Sequence, residues 1–223
     1  FDLTFQPDLA TAPFTNQAAA SGTGAISGGT TSDSSTNGAD ADGTDNDTNP
    51  DESTPSAIDV PAIGVAKSVG ALTNNGNGTF TLTVTITVEN FGTEALTNLS
   101  VSDDLSTEFG TYRALLANVD SAAEYTVQNL ASPTLTINSS FNGSTARGLL
   151  TGADTLAVAA TATITFDLTF YPNLSTAPFT NQASAFGIGA VTGVPTSDTS
   201  TDGADPDGID NDTNPDEDTP TPI

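Results

Sequence analysis

The sequence predicts an all-β chain: an antiparallel Ig-like, Greek-key β-sandwich in tandem repeats joined by Asp-rich loops. Three observations predict it. Apolar residues alternate with Thr along Thr79–Asn90, TFTLTVTITVEN, the period of a half-buried sheet. Turn signals such as NNGNG at Asn74–Gly78 punctuate the chain at short intervals, and helical periodicity of useful length is absent. Finally, Phe1–Ile58 recurs as Phe166–Ile223 without a gap, at about seven identities in ten.

The repeat divides the chain. Residues 1–30 read as the C-terminal strands of a preceding repeat, 31–58 as an acidic loop or linker, 59–195 as the sandwich, and 196–223 as a second acidic linker. FDLTF at Phe1 restarts the second half of LAVAATATITFDLTF, Leu156–Phe170, so the chain begins in mid-strand. Two origins fit: a cut from a longer tandem array, or strands that complete a neighbouring molecule's sheet. The collinear repeat favours the array. Phe1, Phe5 and Phe14 without upstream strands would form an apolar patch that a monomer rarely tolerates, so a polymer or long tandem chain is expected.

Within the sandwich, Pro61–Val69 puts Ile63, Val65, Lys67 and Val69 on one face. Phe80, Leu82, Val84, Ile86 and Val88 follow inward, with Thr outward. Ala95–Asp103 gives Leu99, Val101 and Asp103 one face. EYTVQNL and SPTLTIN read as strands, and Leu156–Phe170 as one long strand with Val158 through Phe170 inward at alternate positions. In Pro178–Gly193 the two copies differ at Ala19/Ser184, Ser21/Phe186 and Thr23/Ile188 and agree between them. Drift concentrates on outward positions, which turns Phe179, Asn181, Ala183 and Ala185 to the core. About 140 residues bury a serviceable core without disulfides.

Thr196–Pro220 holds nine acidic side chains. Asp33, Asp40, Asp42, Asp45, Asp47, Asp51 and Glu52 of the first copy recur as Asp198, Asp205, Asp207, Asp210, Asp212, Asp216 and Glu217, while their neighbours drift. Asn37 becomes Asp202, keeping a side-chain oxygen, and Asp218 is added. Acidic, Gly- and Pro-rich segments are often solvated linkers. A register of carboxylates that survives drift points instead to a cage for a hard cation. Calcium takes many oxygen ligands, magnesium keeps its waters, and without Cys or His the softer metals lack ligands. The expected metal set is therefore Ca²⁺ on these acids and Asn37. DPDGIDND at Asp205–Asp212 resembles the Asp-rich calcium loops of thrombospondin type 3 repeats and bacterial surface modules. It is not an EF-hand: with Asp207 as fifth position, Gly203 falls where the first ligand belongs and Asn214 where the closing Glu belongs.

A net charge of −25, with three basic residues in 223, excludes nucleic acid as a partner and disfavours anionic membranes. No apolar run is long enough to span a bilayer. Lacking Cys, His and a Gly-rich phosphate loop, the chain offers no usual nucleophile–base pairing and reads as a non-enzyme. Its carboxylate pairs sit in acidic loops rather than a sugar cleft, which weighs against a glycosidase. Abundant Ser, Thr, Asn and Gly with low Lys suit an extracellular bacterial protein.

Ile63–Leu105 resembles the bacterial surface "conserved repeat" β-sandwich domain, whose pattern includes a first-strand Lys, a TYTITVTN-like strand, an N-G turn and a VTVTDTLP-like strand. FTNQA resembles its later Asn-containing strand. The LP after the Asp is missing, since Ser106 follows Leu105. The resemblance implies tandem cell-surface or secreted proteins with adhesive or structural roles and no known catalysis.

Shared parity turns Lys67, Asp103 and Asn181 inward together. Two accounts fit: a buried Lys67–Asp103 ion pair with Asn181 as hydrogen-bond partner, or an intramolecular isopeptide bond resembling those of Gram-positive pilins and adhesins. For the whole chain, the expected function is a calcium-stabilised extracellular fibre or stalk of identical repeats or subunits in a filament. The alternative is a surface adhesin module that binds a host ligand or polysaccharide. Near-identical copies favour structure, because a spacer needs only to be copied.

Overall fold

The computed structural model describes residues 2–40, 52–110, 124–172, 177–208 and 212–223. It divides into two compact units: Thr11–Asp59, and residues 1–10 together with Val60–Ile223.

The smaller unit carries β1 (Phe14–Asn16), β2 (Ala19–Thr23), β3 (Thr30–Ser34) and β4 (Ser56–Ile58), pairing as β1–β4 and β2–β3, both antiparallel. Strand β2, AASGT, is exposed along its length and has little apolar surface to bury.

The larger unit is all-β and sandwich-like. Its strands are β5 (Ile63–Val69), β6 (Thr73–Asn74), β7 (Phe80–Asn90), β8 (Leu96–Asp103), β9 (Tyr125–Ala131), β10 (Asp154–Leu156), β11 (Thr161–Phe170), β12 (Thr180–Asn181), β13 (Ala183–Gly189), β14 (Pro195–Thr199), β15 (Thr201–Asp202) and β16 (Thr221–Pro222). One sheet runs β15-β5-β7-β11-β9, with β6 also on β7; a second runs β10-β8-β13-β14; β12 and β16 form a small ribbon. Period-two patterning sets the register. Ile86 opposes Ile164, Val84 opposes Phe166 and Leu82 opposes Leu168, so each strand presents its apolar face to the same core. Leu99, Val101 and Ala185 answer from the other sheet.

The structure corrects several expectations. Leu156–Phe170 is two strands, β10 and β11, separated by a turn. Ala159 has φ 56°, and the Ala159 amide donates to the Asn90 carbonyl at the end of β7. The turn takes Val158 out of the core, leaving it 48% exposed. SPTLTIN forms only an isolated bridge, Ile137 to Leu150. One helical turn, α1 (Ser106–Phe109), lies where the LP motif is missing. It follows the buried Leu105 and buries Phe109, whose ring meets Phe170 at 4.8 Å.

The domain divisions differ as well. Val60 rather than Asp59 opens the larger unit, residues 1–10 belong with it, and residues 11–30 share a unit with 31–59. Residues 196–223 are not simply a linker, for most of β14 and all of β15 and β16 lie there and join the sheets. The physical reason is backbone satisfaction: a returning strand gives β13 and β5 the partners their edge N–H and C=O groups need, whatever the charge of the side chains.

Candidate functional site

Strand β5 enters the core with Lys67 at the position opposite Ile86, among apolar neighbours. Its backbone is pinned: the Lys67 carbonyl accepts from the Gly203 amide and the Thr221 hydroxyl, both at 2.9 Å. The stem of a lysine is long enough to reach the other sheet. There Nζ meets Asp103 Oδ2 at 2.5 Å, at the end of β8, and also donates to Asn181 Oδ1 on β12. Lys67 is 0% exposed, Asp103 2% and Asn181 8%. The Asn181 amide nitrogen points away from the lysine and donates to the Asp104 carbonyl at 3.2 Å. Asp103 Oδ1 is buried without a hydrogen-bond partner among the described residues.

Burial pushes the Lys67 amine below its usual value, against the raising effect of Asp103. Burial likewise pushes the Asp103 carboxyl up, against the lowering effects of Lys67 and Asn181. Both shifts favour neutral forms, the result expected where desolvation outweighs mutual attraction.

The acids of the second stretch lie on several different elements. Asp198 lies on β14 and accepts from the Val65 amide of β5 and from the Thr199 amide, each at 2.7 Å; burial raises its pKa to about 7. Asp202, on β15, pairs with Lys67 along the backbone and its side chain is exposed. Asp205 opens a turn: its carboxylate accepts from the Asp207 amide at 3.1 Å and its carbonyl from Gly208. Asp207 is 5% exposed and accepts from the Thr213 amide at 3.0 Å. Glu217 closes over this turn. A Cβ on Gly208, which has φ 65°, would stand 2.6 Å from the Glu217 carboxyl carbon. Pro215 anchors the return against β5, where a Cβ on Gly64 would meet it at 2.7 Å. Asp212, Asp216 and Asp218 are exposed; the Asp218 carbonyl accepts from Gln182 at 2.6 Å.

Sequence reasoning missed Glu89. It occupies an outward position of β7 and reads there as one more solvated residue. Burial raises its pKa, a Thr161 hydrogen bond lowers it, and the charges of Asp205 and Asp207 raise it further. The tertiary fold alone brings the loop to β7, so only a lone Glu in a run of Thr could have hinted at it. Among the described residues no three acidic groups stand as a ready metal-ligand cluster.

In the first copy, Asp33 lies on β3 opposite Ala20, as Asp198 lies opposite Ala185. Asn37 and Asp40 follow it, and Glu52 precedes β4. Asp42, Asp45, Asp47, Asp51 and Asp210 lie outside the described residues.

The two copies share their hydrogen bonds. Gln17 donates to the Ser35 and Ser53 carbonyls as Gln182 does to those of Ser200 and Asp218. The Ser35 hydroxyl accepts from Ala18 as the Ser200 hydroxyl accepts from Ala183, both at 2.9 Å. No helix among the described residues is long and apolar enough to cross a membrane. Compared with protein-family models and with curated proteins, the sequence matches none.

Proposed function

We propose that the chain is a structural element of an extracellular bacterial fibre or stalk, built from tandem sandwiches whose acidic segments bind calcium. The observation that carries this reading is the recurrence of the Gln, Ser and strand-register contacts between copies that differ in about three residues of ten. Copied scaffolding that keeps its register through drift suits a spacer, whereas loops that read a ligand would diverge. The resemblance of Ile63–Leu105 to surface repeat domains points the same way.

The residues fit a calcium ion in the kind of donor they offer. Asp205, Asp207 and Glu217 supply hard oxygen donors around the Gly208 turn, where a side chain would fill the space, and Glu89 adds a carboxyl from β7. When bound, the dication would offset the repulsion among these acids and hold the loop to the sheet. Asp198 and Asp202 lie on β14 and β15.

The test is thermal melting and limited proteolysis of the chain in calcium and in chelator. Calcium should raise the melting temperature and protect Thr196–Pro220; equal melting and equal cleavage would remove calcium from the proposal.

A further inference from the structure

The geometry points to a covalent bond in the core: an intramolecular isopeptide between Lys67 Nζ and Asn181 Cγ, with Asp103 as the catalytic acid–base. The hydrogen-bond count at the site is the first reason. An ammonium carries three donors, and the described acceptors at Lys67 Nζ are Asp103 Oδ2 and Asn181 Oδ1. A carboxylate would leave Oδ1 of Asp103 buried and bare. A neutral amine has two donors for those two acceptors, a protonated acid takes the charge off the bare oxygen, and burial shifts both groups toward those forms. A neutral amine is a nucleophile, and a protonated acid beside an amide carbonyl is its activator.

The second reason is orientation. The Asn181 carbonyl oxygen faces the lysine, while its nitrogen faces the Asp104 carbonyl. Asn181 lines an open pocket of about 300 Å³ together with Asp104 and Thr107, which gives the leaving group a way out. The third is rigidity: β5 is held through the Lys67 carbonyl, and Asn181 is held opposite Thr221 in the β12–β16 ribbon. Two groups so fixed need no further ordering to react.

The step balances without a co-reactant. The Nζ lone pair attacks Cγ of Asn181 while the Asp103 proton polarises its carbonyl oxygen. A C–Nζ bond forms, one Nζ proton passes through the Asp103 carboxyl to Nδ2, and the Cγ–Nδ2 bond breaks. Ammonia departs and Asp103 returns to its starting state. The product joins residues 114 apart in sequence and ties the first long strand of the larger unit to its closing ribbon.

The inference does not depend on calcium, and its test separates the two. The intact mass of the full chain, purified in chelator, should fall short of the sequence mass by one ammonia. Proteolytic fragments should include a branched peptide that joins the Lys67 and Asn181 segments. Lys67→Ala, Asn181→Ala and Asp103→Asn should each restore the full mass. The branched peptide decides the question in the parent protein even where a variant fails to fold. Asn16, the counterpart of Asn181 in the first copy, is exposed and should keep its carboxamide. Recovery of the peptide with a free Lys67 amine would overturn the inference. So would ammonia loss mapped to an Asn-Gly step such as Asn75–Gly76, where a succinimide would form instead.

Discussion

Residues 12–58 and 177–223 have nearly the same sequence and the same backbone pairings, yet their surroundings differ. Thr15 opposes Ala57 as Thr180 opposes Pro222, and Ser21 opposes Ser32 as Phe186 opposes Ser197. Both copies contain a cis Ala-Pro bond, before Phe14 and before Phe179. In the second copy β13 pairs with β8, and Ala183, Ala185 and Asn181 are buried. In the first, Ala18, Ala20 and Asn16 are exposed. Local sequence is enough to specify the ribbon. What a residue on that ribbon contributes depends on what is packed against it, so the same Asn is a surface amide in one copy and a buried core group in the other.

The comparison breaks first at Lys67. Lys67→Met removes the crosslink and also leaves Asp103 alone in the core; the second loss by itself should cost about 3–5 kcal/mol in chemical denaturation, whereas Asn16→Ala should cost under about 0.5 kcal/mol. Lys67→Met combined with Asp103→Leu should recover the electrostatic share of that loss. It should not recover the share due to the crosslink. By the chain-entropy argument, closing a loop of about a hundred residues contributes roughly 4–5 kcal/mol. Full recovery by the double variant would leave the ion pair as the whole story.

Calcium should act on the second copy by mass action, adding about 2.7 kcal/mol of stability when the free ion stands a hundredfold above its dissociation constant. Isothermal titration should show Glu89→Gln weakening calcium binding more than Asp154→Asn does, although Glu89 lies outside the acidic stretch. Equal effects would return Glu89 to the solvated surface.

Ser200→Ala strips the buried Ala183 amide of its acceptor and should cost about 1–3 kcal/mol. Ser35→Ala, which does the same to an exposed amide, should stay within about 0.5 kcal/mol because water replaces the hydroxyl. Amide hydrogen exchange at Ala183 and Ala18 would read the two directly.

The smallest effect is the titration of Asp198. Its folded pKa of about 7 lies above the ordinary 3.8, so the fold prefers the protonated acid. That contribution is complete below about pH 4 and is lost as pH rises through about 7. In calcium-free buffer the denaturation midpoint should fall between pH 5 and 8, and Asp198→Asn should flatten the slope. Solvent screening at this half-buried site holds the change to about 1 kcal/mol.

The sequence alone determined the all-β class, the apolar faces of β7 and β11, the recurrence of the acidic stretch and the inward parity of Lys67, Asp103 and Asn181. Each of these follows from period-two geometry or from the comparison of two copies, both local properties of the chain. Tertiary structure decided what parity cannot reach. Asn98, with φ 52°, interrupts β8 and brings Leu96 inward out of step with Leu99. The turn at Ala159 removes Val158 from the core, and the return of the chain brings the charges of Asp205 and Asp207 to bear on Glu89. Parity places a side chain on a face; whether Nζ of one sheet meets an amide of the other depends on the packing distance between sheets, which no single strand encodes.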